Sequence, residues 1–171
     1  MIHTSISAYL HKLETDYHII KSYKPIDAKP NAKLQKYTIT DNFLKFWFRY
    51  FYRYRDSIEI GNYQYLIELI KQDFPTYSGR LLESFFVELL AATKQYNRMG
   101  SYWERDHKNE IDIVAINDSK KIMLVAEVKT NSRRNSINRL EQRATNLLRD
   151  YHDYQVNYKL LSLDQAKEFL D

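Results

Sequence analysis

NEIDIVAINDSKKIMLVAEVKT, residues 109–130, reads as two short strands joined by a polar turn at Asn117-Asp118-Ser119. Side chains alternate along a strand, so Asp112 shares a face with Val114 and Ile116, and Glu127 shares one with Lys129. If the two strands pair about that turn, Asp112 at the start of the first comes opposite the 127–129 end of the second. Two acids and a lysine then meet at one place. That is the composition of a divalent-metal site for phosphodiester chemistry.

After the hairpin comes a polar, basic loop over 131–136 that holds Arg133 and Arg134. Ile137 to Tyr151 follows as an amphipathic helix through Ile137, Leu140, Ala144, Leu147 and Leu148. Tyr154–Leu161 reads as a strand and Leu163–Leu170 as a short closing helix. Before the hairpin, Arg98–Glu104 reads as a strand. Ser78-Gly79 opens a helix to about Lys94, with Leu82, Phe85, Phe86, Leu89 and Leu90 on its buried face. Glu83 sits beside or within that face, where a carboxylate needs a partner or a metal. From residue 78 the order is α-β-β-β-α-β-α, an α/β fold.

Pro75 is expected to end the preceding helix, Tyr63–Phe74. Earlier still, Asp41 starts a helix in which Phe43, Phe46, Trp47, Tyr50, Phe51 and Tyr54 form a wide aromatic stripe. Such spacing buries a face, so the stripe reads as core. Base stacking, a partner groove or a contact with a second copy of the chain are its alternatives. Thr4–Thr15 reads as a helix, followed by strands over 18–23 and 34–39 around a loop with two prolines. A helix and a β-ribbon are the back half of a winged helix, and Lys12 is among its candidate phosphate contacts. The expected division is a partial winged helix over 1–40, an aromatic-rich helical connector over 41–75 and an α/β domain over 76–171.

The chain has 171 residues, with 15 Tyr and 8 Phe against 3 Gly and 3 Pro, a balance that favours long helices and short connections. It contains no cysteine, which excludes disulfides and thiolate metal sites. No apolar run approaches the roughly 20 residues of a membrane span. The N-terminus lacks the pattern of a secretory leader, so the expected compartment is the cytoplasm and no membrane partner is expected. The formal net charge of +4 suits a polyanion partner without demanding one. No G-x-x-x-x-G-K-[ST] loop is present, so no ATPase activity is expected of these residues.

Hard cations such as Mg²⁺ or Mn²⁺ take oxygen ligands and keep several waters. Asp112, Glu127 and the main-chain carbonyl of Val128 supply candidate oxygens, and Glu83 a further one, direct or through water. Such an ion would acidify a water and offset charge developing on a phosphodiester. Lys129 would orient that water or stabilise the transition-state oxygens. Arg133, Arg134, Arg139 and Arg143 are candidate contacts to the phosphates of nucleic acid. The same acids and lysine would also serve as a salt-bridged pair of strands with no chemistry.

The core from Gly79 to Leu161 resembles the PD-(D/E)XK nuclease superfamily, whose pattern is an acid on a helix, an Asp on a strand, then E-x-K. Here these are Glu83, Asp112 and Glu127-Val128-Lys129, with Ile111 where the superfamily has a proline. More closely, the chain resembles the C-terminal region, known as DUF234, of archaeal-type P-loop ATPases that also occur in bacteria. The marks run in order: YLHKLE (9–14), IIKSYKPI (19–26), KLQKYTITDNFLKFWFRYFYRY (33–54), GRLLESFFVELL (79–90), YWER (102–105), EIDIVA (110–115) and AEVK (126–129). The resemblance implies a restriction-endonuclease-like αβββαβ core preceded by helices and a partial winged helix. It also implies a Mg²⁺- or Mn²⁺-dependent, nuclease-like activity on DNA, with Glu83, Asp112, Glu127 and Lys129 as its site, and association with an ATPase chain or domain. A non-catalytic DNA-binding or regulatory module of an ATPase system is the alternative.

Overall fold

The structure, a computed structural model, describes residues 5–29, 31–105, 108–130 and 137–169. The chain divides into two compact units, one of residues 1–24 with 30–73 and the other of 25–29 with 74–171.

In the first unit, α1 (Ile6–Thr15) leads into β1 (Ile20–Tyr23) and β2 (Lys36–Ile39), which pair antiparallel from Ile20↔Ile39 to Tyr23↔Lys36. The Glu14 carboxylate ties helix to ribbon, accepting from the Ser22 backbone N–H and hydroxyl, each at 2.6 Å. Part of the loop read as a wing, Pro25–Lys29, belongs instead to the second unit.

The aromatic helix is less regular than its periodicity implies. Asp41 caps α2 (Asn42–Phe46) by accepting from the Leu44 N–H at 2.8 Å. The chain then widens into a π-helical turn, Trp47–Tyr52, and resumes as α3 (Arg55–Glu59). The wider winding shifts the phase of the stripe. Tyr50 is buried at 2% exposure, whereas Phe43 is 67% and Trp47 42% exposed, so only part of the expected core stripe is core. Tyr50 is held by its hydroxyl, which donates to Asp73 at 2.6 Å beside the Arg49–Asp73 ion pair.

The break expected at Pro75 is absent. One helix, α4 (Tyr63–Ala92), runs 30 residues through it. Proline lacks the N–H that would bond to the Lys71 carbonyl, but the turns on either side keep theirs. Pro75 therefore costs the helix a bond without ending it.

The second unit holds a four-stranded sheet of order β3 (Arg98–Tyr102), β4 (Ile111–Asn117), β5 (Ile122–Val128), β6 (Gln155–Leu161). The first three strands are antiparallel neighbours, and β5 and β6 are parallel. A parallel pair needs a crossover. It is made by α5 (Ile137–Ala144) and a 3-10 turn, Leu147–Asp150, in place of the single longer helix expected. The closing segment Leu163–Phe169 is likewise 3-10. The C-terminal half of α4, the four strands and α5 thus follow the order αβββαβ.

Both faces of the sheet are covered, which explains the near-continuous apolar runs of β4 and β5. On one face Leu82, Phe86 and Leu90 of α4 pack on Ile113, Ala115, Leu124, Ala126 and Val128. On the other, Leu140, Ala144, Leu147 and Tyr151 pack on Ile111, Val114, Ile116, Met123 and Val125. Phe85, expected on the buried face of α4, is 38% exposed. At the turn of the hairpin, Arg98 donates to both oxygens of Asp118 at 2.9 Å and also pairs with Asp27. That clamp holds the 25–29 segment at the edge strand β3, where the Ile26 N–H donates to the Ser101 carbonyl at 2.8 Å.

Candidate active site

Asp112 owes its position to an irregularity in β4. Gly100 pairs with Val114 and Tyr102 with Ile111, so β4 takes three steps where β3 takes two. The extra residue is a bulge, which breaks the alternation and re-aims a side chain. It explains why Ile111 and Val114 lie on the same face. The freed Asp112 carboxylate reaches across to the next strand, where its Oδ2 accepts the Val128 N–H at 2.8 Å.

Glu127 and Lys129 come from the end of β5. Glu127 follows Val125 onto the α5 side of the sheet and is 4% exposed. Its Oε1 accepts from Lys129 Nζ at 3.0 Å, and its Oε2 is paired with Arg143 of α5. The backbone of Lys129 stays anchored, its N–H donating to the Leu161 carbonyl at 2.8 Å. Glu83 approaches from α4, half-buried at the edge of the Leu82–Phe86–Leu90 face.

The charges of these groups act on one another. Burial, then the charge of Asp112, push the Glu83 carboxyl up to about 7, while Lys129 and Arg80 pull back only part of that rise. Asp112 is raised as well, chiefly by burial, against the Val128 N–H and the Lys129 charge; Glu127 adds to the rise. Burial works to raise Glu127 too, but the hydrogen bonds from Lys129 and Arg143 outweigh it and hold that carboxyl below its usual range. Asp112 is the shared member, repelled by Glu83 and by Glu127 alike.

The four residues singled out in the sequence are therefore brought into one electrostatic neighbourhood, at the ends of β4 and β5 and on the neighbouring α4. Arg143 was read as a phosphate contact. Its guanidinium instead bonds Glu127 and, through Nη1 at 2.9 Å, the Glu110 carbonyl. The signal was present in the spacing, since Arg143 is three residues from Leu140 and four from Leu147 and so borders the buried stripe of its helix. Arg139 is exposed on α5, and Lys12 is exposed on α1 with its ammonium 5.7 Å from the Tyr17 ring centre. Arg133 and Arg134 lie outside the described residues.

Among the described residues, no three His, Asp or Glu side chains are gathered closely enough to cage an ion as they stand. The chemistry of the donors nonetheless fits a hard divalent cation. Three carboxylates and a main-chain carbonyl all offer oxygen, the donor such an ion takes. The repulsion between Glu83 and Asp112 is the kind a cation relieves. Among the described residues, no helix is long and apolar enough to cross a membrane.

A family model described as archaeal and bacterial proteins of unknown function, DUF234, matches residues 47–144. An uncharacterized protein of Methanocaldococcus jannaschii is 30% identical over 174 residues, an alignment that covers 98% of this chain and 36% of that protein. The chain thus spans little more than a third of the length of the relative it matches. No solved structure matches it. The matched span holds Glu83, Asp112, Glu127, Lys129 and Arg143 together, and the chain belongs to the DUF234 family.

Proposed function

We propose that the second unit is a metal-dependent, nuclease-like domain that hydrolyses phosphodiester bonds in DNA. One observation carries this reading. An acid freed by a bulge at the start of β4 bonds the main chain beside an acid and a lysine at the end of β5, and its charge reaches an acid on α4, at one end of an αβββαβ core. Asp112 and Glu127 would hold Mg²⁺ or Mn²⁺, with the Val128 carbonyl and Glu83 as further oxygen donors. Bound there, the ion would acidify a water and offset charge on the phosphate. Lys129, 44% exposed at its side chain, is within reach of both Glu127 and solvent and would orient the attacking water. Lys12, Arg139, Arg133 and Arg134 are the candidate phosphate contacts. By its resemblance to the C-terminal region of archaeal-type ATPases, the domain would work with an ATPase chain or domain, in the cytoplasm.

The direct test incubates the purified chain with supercoiled, linear and single-stranded DNA, and with RNA, in Mg²⁺ or Mn²⁺. Cleavage abolished by chelation and by Asp112→Asn supports the reading. Intact substrates of every form, with the protein shown to be folded, contradict it. A second reading, a non-catalytic DNA-binding or protein-interaction module, draws on the engagement of both Glu127 oxygens by cations. It expects DNA or partner binding that survives Asp112→Asn with no cleavage.

A further inference from the structure

We infer that Arg143 is a positioning residue that occupies Glu127 in place of the metal and must leave it when a divalent ion binds. The inference rests on the reading of Asp112 and Glu127 as ligands. Glu127 is 4% exposed, and a carboxylate so buried is costly to leave uncompensated. Two cations compensate it, one on each oxygen: Lys129 on Oε1 at 3.0 Å and Arg143 on Oε2. An ion held by Glu127 needs one of those oxygens. A guanidinium and a divalent cation on the same oxygen repel each other strongly where water is scarce, so one cation has to move.

The geometry selects Arg143 as the one that moves. Lys129 sits two residues from Glu127 on the same strand end, with its N–H fixed to the Leu161 carbonyl at 2.8 Å. Arg143 reaches in from another element by a long side chain, and although that side chain is less exposed than Lys129's, 29% against 44%, its several donors let it release one acceptor and keep others. It also has somewhere to stay. Nη1 donates to the Glu110 carbonyl at 2.9 Å and Nε to the Arg139 carbonyl at 3.4 Å, so releasing Oε2 leaves the fork attached by its other donors. The freed Nη2 is then a charged donor beside the ion, suited to a substrate phosphate oxygen. Arg143 would thus be a carboxylate partner in the metal-free form and a phosphate contact in the loaded one.

The test measures Mn²⁺ affinity by electron paramagnetic resonance on the full chain, with circular dichroism as the check of folding. Arg143→Gln is expected to bind Mn²⁺ about ten-fold or more tightly than wild type, because a competitor is gone. Arg143→Lys, which keeps the charge, is expected to stay near wild type. Asp112→Asn is expected to lose binding. A residue that merely braced α5 would weaken metal binding on removal or leave it unchanged. Folded Arg143→Gln with unchanged or weaker affinity, while Asp112→Asn loses binding, overturns the inference alone. Asp112→Asn that binds Mn²⁺ like wild type overturns the ligand reading and this inference with it. Should Arg143→Gln not fold, the Arg143 Nη2–H resonance of the wild type, the one bonded to Glu127, answers the same question. A shift on adding Mg²⁺ supports displacement, and an unmoved resonance refutes it.

Discussion

Glu83 carries the pH signature of the site. Its carboxyl is raised to about 7 by burial and by Asp112, above the ordinary value of 4.5. A group whose folded value lies above its unfolded one binds more protons when folded, so its contribution to stability falls as pH rises. The window is pH 4.5 to 7, and Asp112, also raised, adds in the same direction. In chelator, Glu83→Gln is therefore expected to flatten this decline and to exceed wild type in stability by about 1–3 kcal/mol at pH 8, read by urea melts across pH. Lys129→Ala is expected to lower cleavage at least about 100-fold in a chain that still folds, with a melting temperature below wild type because one oxygen of the buried Glu127 loses its cation. Glu127 and Lys129 were legible because a strand's two-residue period pairs them, and Asp112 because the turn sets its end of β4 opposite theirs, all without any knowledge of packing. The bulge that frees the Asp112 carboxylate was not, because it depends on the register with β3. Nor was the Arg143–Glu127 pair, which exists only because the β5–β6 crossover lays α5 on that face of the sheet.

At the scale of elements, the order αβββαβ was readable because each strand and each helical stripe has its own period. Boundaries were lost where local signals compete with packing. Pro75 and Gly79 both argue for a break, yet α4 continues through them. Pro75→Ala restores an N–H to an intact helix and is expected to stabilise the protein by about 1–3 kcal/mol, measured by denaturant titration. A loss of stability would mean that the helix depends on proline there. Phe86 is fully buried between α4 and the sheet, so Phe86→Ala is expected to cost about 3–5 kcal/mol in the same measurement. The aromatic stripe shows the reverse error. Six aromatic residues at helical spacing imply one buried face, but the helix widens at Trp47–Tyr52, and Phe43 before that turn and Trp47 at its start are exposed while Tyr50 within it is buried.

For the whole molecule, the two units differ in how much they bury. Among the described residues the first buries Ile20, Tyr50 and Leu66, whereas the second has apolar layers on both sides of its sheet. Hydrogen exchange is accordingly expected to be slowest in β4 and β5 and faster throughout α1, β1 and β2. Equal protection in both units would contradict that difference. The DUF234 match spans every residue of the second unit's corner, and the proposal is that metal chemistry takes place there. The most direct measurement is anomalous diffraction from a crystal soaked in Mn²⁺. The account expects a single strong peak bounded by Asp112, Glu127 and Glu83, with oxygen ligands at about 2.0–2.3 Å and Arg143 moved off Glu127. A crystal without a peak at that corner, its Glu127 still held by both Lys129 and Arg143, would contradict it.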